Sequence, residues 1–341
     1  MSISFSILDQ SPIYPGETAA EALAHTLSLA QRAEELGYRR FWVAEHHDTE
    51  FLAGSSPEVL ISHLLAKTSR IRIGSGGVML QHYSPYKVAE NFHVLSSLAP
   101  GRVDLGVGRA PGGLPRSTQA LQKEVASASS LTEKLVELRR YVNRESDTEG
   151  PLAGLQATPI PPLAPELFLL GASASSSQLA AELGLPYVFS LFIGGDEEEA
   201  TKAIQQYRET FQGAEGVQPE VILALSAIVA DTDEEAVSLI PPHRLVKVRL
   251  GSGKTLTLAS VEQAEEFAKQ AGEPYTIEEK APLITAGSKE TVRRKLLALQ
   301  EATGVSEFII TTNITPFEKR IRSYELLSEA FAEVKAAEGT A

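Results

Sequence analysis

What most constrains this 341-residue chain is an alternation, sustained along nearly its whole length, of short apolar runs with amphipathic stretches. Strand-like runs fall at residues 3–8, 41–44, 71–80, 103–107, 167–170, 187–192, 221–230 and 306–312. Helix-like stretches occupy 18–36, 57–69, 85–98, 130–144, 176–183, 196–211 and 316–336. In the first of these, Leu23, Leu27 and Ala30 share one face and Gly37 provides the stop. In the third, Val88, Phe92 and Leu95 do the same. Eight strands separated by helices predict a (β/α)8 TIM barrel of the α/β class in preference to a doubly wound sheet. The repeat lapses over residues 241–282, after the seventh strand, and that stretch reads as an insertion within a single domain spanning 1–341.

Composition narrows the chemistry. The chain has no cysteine, so disulfides, thiolate zinc sites, iron–sulfur clusters and thiol nucleophiles are excluded, and a reducing cytoplasm is the expected setting. Asp and Glu outnumber Lys and Arg by 44 to 31, a formal charge of -13 that opposes binding to nucleic acid or an anionic membrane. No apolar run approaches the roughly 20 residues of a membrane span.

Three motifs that resemble ligand sites do not meet their chemistry. Gly251-Ser252-Gly253-Lys254-Thr255 has Val248 where a phosphate-binding loop needs its first glycine. Gly74-Ser75-Gly76-Gly77 and Gly106-Val107-Gly108 follow strands but complete no dinucleotide fingerprint. Glu45-His46-His47-Asp48 places its histidines side by side, and on an extended segment adjacent side chains point apart, so no metal site is expected.

The informative residues gather just past the C-terminal ends of the strands, where barrel enzymes work. The second strand delivers Glu45, His46 and His47, and His46 is the candidate acid/base. The third ends in a glycine-rich run containing Gly76 and Gly77, compatible with close approach of a flat ligand or of another backbone. The fourth ends at Arg109, a guanidinium suited to phosphate. The fifth runs into Ser173, Ser175, Ser176 and Ser177 at the start of a helix, an anion-binding arrangement for which one capping serine would not account.

With these residues in view, Phe41-Trp42-Val43-Ala44-Glu45-His46-His47-Asp48 and Gly101-Arg102-Val103-Asp104-Leu105-Gly106-Val107-Gly108-Arg109 resemble the bacterial luciferase-like flavin monooxygenases. The similarity resumes over 171–186 and at Thr311-Thr312-Asn313, and is weak over 112–165 and 241–282. The resemblance implies an FMN-binding barrel. Reduced FMN, delivered by a separate flavin reductase, would react with O2 to give a flavin hydroperoxide that oxygenates a small organic substrate. It implies His46 as the catalytic residue and Arg109, Ser173 and Ser176 as phosphate ligands. It places Gly76 and Gly77 under the flavin ring, in a region where the family has a non-proline cis peptide. Gly108 replaces the reactive cysteine of the light-emitting subunit, Ala172 an acidic residue, and Ser84 the histidine of a His-Pro pair. Luminescence and a long-chain aldehyde substrate are therefore not expected.

Residues 243–254 carry four positive charges and no acid, and read as a mobile lid hinged at Gly251 and Gly253 that excludes water from the flavin. A homodimer is implied by the resemblance, through the helices after the second and third strands, with Ala66, Val88 and Phe92 compatible with the interface or with core packing. A deazaflavin-dependent oxidoreductase and a non-catalytic flavin-binding protein remain the competing readings.

Overall fold

Buried, mostly apolar strands place eight parallel neighbours edge to edge in the computed structural model, which describes residues 3–123, 129–193, 195–242, 244–258 and 260–338. The chain begins β1 (Ser4–Asp9), α1 (Ala19–Glu35), β2 (Arg40–Val43), α2 (Pro57–Lys67), β3 (Arg72–Val78) and α3 (Pro85–Leu98). It continues through β4 (Val103–Val107), α4 (Pro115–Leu121), α5 (Leu131–Val142), β5 (Glu166–Gly171), α6 (Ala174–Glu182), β6 (Tyr187–Ser190) and α7 (Glu197–Thr210). After β7 (Val221–Val229) and α8 (Asp233–Ser238) come β8 (Leu245–Leu250), β9 (Thr255–Leu258), α9 (Val261–Ala271) and β10 (Tyr275–Lys280). The chain ends with β11 (Ile284–Gly287), α10 (Lys289–Thr303), β12 (Glu307–Thr311) and α11 (Phe317–Glu338).

The barrel runs β1-β2-β3-β4-β5-β6-β7-β12, and β12 closes on β1 through pairs such as Ser4 with Glu307 and Ile7 with Ile310. Alternate strand positions supply its two cores. Leu8, Trp42, Phe168, Val188, Ile222 and Ile309 fill the interior, while Ile7, Phe41, Ile73, Leu105, Leu223 and Phe308 face the helices. Capping boxes at Thr18–Glu21 and Ser130–Glu133 start α1 and α5 where the sequence places them.

The end of the barrel formed by the strand starts is plugged by charge. Arg40, fully buried, bonds Asp104 at 3.1 Å, Glu307 at 3.0 Å, Glu166 at 3.0 Å and Glu220 at 3.4 Å. Burial works to discharge Arg40, but Asp104 and Glu307 outweigh it and its pKa moves up.

Four details differ from the sequence reading. A ninth strand, β11, joins the barrel sheet by pairing with the last four residues of β7, Ser226 to Val229. The insertion is an ordered unit: β8 lies between β9 and β10 in an antiparallel sheet, backed by α9 around Val246, Val248, Leu250, Phe267 and Ala268. Gly251 and Gly253 are no hinge, because they form the turn of the β8–β9 hairpin, with Leu250 and Lys254 closing it. His243 lies outside the described residues. Finally, Val88 and Phe92 are buried in the core of the chain itself, so they are not interface residues.

Candidate active site

At the end of β2 the chain stays extended, so consecutive amides donate in opposite directions. The His46 N–H reaches the Gly54 carbonyl and the His47 N–H the Gly112 carbonyl, each at 2.8 Å. The two imidazoles accordingly part. His47 Nε2 lies 2.7 Å from Glu45 Oε1, whereas His46 interacts with the Gly112 backbone. Burial first, and His47 second, push the His46 pKa below its ordinary 6.5, against the opposing pull of Glu45 and Gly112. His46 is therefore neutral at pH 7 and able to accept a proton.

Glu45 is fully buried and its carboxylate is fully used. Tyr83 donates its hydroxyl to Oε1 at 2.8 Å, and the Met79 amide donates to Oε2 at 3.0 Å. Burial, with Glu45 adding to it, drives the Tyr83 pKa far up, so its hydroxyl keeps the proton it donates. Beside it, His82 bonds the Pro111 carbonyl at 2.8 Å and the Gln122 amide at 3.0 Å. Lys134, buried on α5, pins the same turn by donating to the Gln81 and Tyr83 carbonyls at 2.9 and 3.0 Å.

The glycines of β3 answer to barrel closure. A Cβ on Gly76 would lie 2.7 Å from Leu8 Cδ1, and one on Gly77 would lie 2.8 Å from the Gly106 carbonyl. The Gly76–Gly77 peptide is cis, as the resemblance implied for this region. Trp42 packs against Gly76 from inside the barrel, its indole N–H bonded to Asp104 at 2.8 Å.

Arg109 follows β4, exposed and making no hydrogen bond or ion pair among the described residues. On the next strand, Ser173 caps α6 and Ser176 completes a capping box with it. Capping thus uses two serines, where the sequence reading allowed one. Ser176 Oγ also meets the Tyr187 hydroxyl at 2.8 Å, and burial pushes the Tyr187 pKa up to about 12. Ser177 donates to the Ala174 carbonyl at 2.9 Å, leaving Ser173 and Ser175 exposed enough at the helix start to meet a ligand. The structure thus brings His46, Gly76, Gly77, Arg109, Ser173 and Ser176 to the C-terminal ends of four successive strands.

Comparison with known proteins bears on this arrangement. Residues 1–307 match the family described as luciferase-like monooxygenase. The chain belongs to that family. An N-acetyl-S-alkylcysteine monooxygenase of Bacillus subtilis (strain 168) is 46% identical over 336 residues, covering 98% of this chain and 99% of the relative. Among solved structures, apo-MsnO8 superposes with a TM-score of 0.78 at 36% identity, over 97% of this chain and 98% of the other. Two more distant structures share the fold alone. One is the oxygenating constituent of 3,6-diketocamphane monooxygenase from Pseudomonas putida, in complex with FMN (TM-score 0.71, 20% identity, 98% of both chains). The other is an F420-dependent secondary alcohol dehydrogenase (TM-score 0.64, 16% identity, 97% and 99%).

This luciferase-like monooxygenase is thus an oxidoreductase on a TIM barrel. Among the described residues no helix is long and apolar enough to cross a membrane. Sequence reasoning did not see the parts that hold its histidines: the role of Glu45, and Tyr83, His82 and Lys134. Tyr83 lies 38 positions from Glu45, and no local periodicity marks such a contact. The one available signal was Glu45 itself, an acid directly following the apolar run Phe41-Trp42-Val43-Ala44.

Proposed function

We propose that this chain binds FMN at the C-terminal mouth of the barrel and, supplied with reduced flavin by a separate reductase, oxygenates a small organic substrate. The observation that carries the reading is the unpartnered Arg109 just past the end of β4, one strand away from the serine-capped start of α6 after β5. A free guanidinium next to helix-terminal amides and hydroxyls is a cradle for a phosphate dianion. When bound, reduced flavin would supply the two electrons that activate O2, so that one oxygen atom goes to the substrate and the other leaves as water. The protein's own share is positional and protic. Arg109 and Ser173, with Ser175 beside it, hold the phosphate end while Ser176 fixes the turn that presents Ser173, Gly76 and Gly77 contribute backbone without side chains, and His46 takes or returns a proton at the ring nitrogen that Gly112 leaves free. The ordered insertion at 241–282 acts as the lid that limits water.

An N-acetyl-S-alkylcysteine is the first substrate to test, because the relative of that specificity matches almost end to end. The chain is proposed to work as a homodimer. Val59 on α2 and Val94 and Leu98 on α3 are 67%, 43% and 68% exposed and form the apolar surface on the predicted helices, together with Ala66.

The test is an anaerobic titration with reduced FMN, read through the single tryptophan, Trp42, which packs against Gly76. Oxygen and a thioether panel are then added. Quenching by FMN at micromolar concentration and substrate oxygenation are the expected outcome. Quenching by a deazaflavin and not by FMN would transfer the site to hydride chemistry. FMN binding with turnover indifferent to His46→Ala would leave a flavin carrier.

A further inference from the structure

The histidine loop and the insertion are far apart in sequence, yet a single short segment, residues 112–117, touches both. On one side it carries the loop. Gly112 accepts the His47 amide, and a Cβ on Gly113 would come within 2.7 Å of the His47 carbonyl, so the two backbones lie flush. Arg116 then forks onto Asp48, with Nε on one carboxylate oxygen and Nη2 on the other at 2.9 Å. Asp48 is one of the few described non-glycine residues with left-handed backbone, φ 54°, and it turns the chain directly after His46 and His47. On the other side the segment is held by the insertion. The Arg116 amide donates to Gln270 Oε1 on α9 at 2.9 Å, and Leu114 packs into the apolar cluster of β8, β10 and α9.

We propose that Arg116 is a positioning residue through which docking of the insertion sets the geometry of the histidine loop. An exposed ion pair of this kind adds little stability. Its two-point geometry instead fixes direction, because a fork on a carboxylate resists rotation where a single bond does not. With the insertion seated, Gln270 holds the start of α4, Arg116 is aimed at Asp48, and the left-handed turn keeps His46 facing the mouth. With the insertion displaced, the fork loses its backing and the loop loosens. The insertion is thereby a component of the site as well as a cover for it. This rests on the reading of His46 as the proton-handling residue.

The experiment uses two readouts on the full chain. Amide exchange at His46 and His47 reports the loop without reference to any reaction, and is followed in Arg116→Ala, Arg116→Lys and Gln270→Ala. Arg116→Ala and Gln270→Ala are each expected to speed exchange at both amides about tenfold with an unchanged melting temperature, and Arg116→Lys to fall between. Product formed per reduced FMN consumed should drop in the same order, with the flavin dissociation constant unchanged. Exchange within about twofold of the parent in both alanine variants overturns the proposal. A response in Arg116→Ala alone overturns the link to the insertion. A parent protein that oxygenates nothing while the exchange response is intact overturns the FMN reading and leaves this inference standing.

Discussion

His46 and Arg109 are the residues on which the chemistry is most sharply staked, and each gives a measurement. Because burial depresses the His46 pKa, the unfolded chain binds its proton at a pH where the folded chain does not. As the pH falls below 6.5 stability is lost progressively until the lower folded pKa is reached, and below that the loss stays at its full value. The same shift keeps the imidazole a competent base at neutral pH, so the acid limb of kcat/KM is expected below 6.5. His46→Gln should remove that limb and lower turnover by about 10²–10⁴-fold, seen in a pH–rate profile with saturating flavin. Arg109→Ala should weaken FMN binding by about 1.5–3 kcal/mol, the scale of a charge-assisted hydrogen bond, measured by titration calorimetry. Equal affinity in the two proteins would put the phosphate elsewhere. Both residues could be singled out because each follows the end of an apolar strand run, Arg109 as a lone cation and His46 within Glu45-His46-His47-Asp48. Glu45 was legible only in part and Tyr83 not at all, since a buried carboxylate gains its meaning from partners that sequence does not place beside it.

At the level of elements, the eight barrel strands were legible because strands buried on both sides leave short apolar runs, as in residues 41–43 of β2 and 221–225 of β7. Where burial is partial the signal fails. β11 has four residues, half of them only partly buried, and β10 is almost wholly exposed. β8 did carry a signal: Leu245-Val246-Lys247-Val248-Arg249-Leu250 alternates in the manner of a half-buried strand, but its charges drew the reading toward a loop. The glycines of β3 read as compatible with a flat ligand or with another backbone, and the contacts show how tightly β3 and β4 meet each other. A Cβ on Gly106 would lie 2.2 Å from the Ser75 carbonyl, which backbone cannot yield cheaply. Gly106→Ala and Gly77→Ala should therefore each destabilise the barrel by about 1–3 kcal/mol in urea unfolding, from overpacking alone. An effect on flavin affinity with no loss of stability would show that these glycines serve the ligand first.

Taken whole, the molecule has two unlike ends. The strand starts converge on Arg40 and its carboxylates, far along the strands from His46. Arg40→Met would strand buried Asp104 and Glu307 with fewer cations, and a loss of about 3–5 kcal/mol is expected by denaturant titration, with Arg72 and Arg39 softening it. Flavin affinity per folded molecule should not change. Association is tested on the outer surface. Leu98→Glu should convert the proposed dimer to monomer in sedimentation velocity, and a parent already monomeric would dismiss that assembly.

The branching of β7 has a further bearing on how this scaffold can diversify. Its first part pairs with β12 to close the barrel, and its last four residues pair with β11, the strand on which the chain returns from the insertion. Departure and return are thus tied to one pair of parallel strands about 4.8 Å apart, with Ile284 beside Ser226 and Gly287 beside Val229. The barrel has already brought the two ends together, so the intervening residues 230–283 can lengthen, shorten or be exchanged with little added loop-closure entropy. In such an architecture, a whole interchangeable cassette can be the unit of change in specificity, provided the newcomer still offers a partner to Arg116.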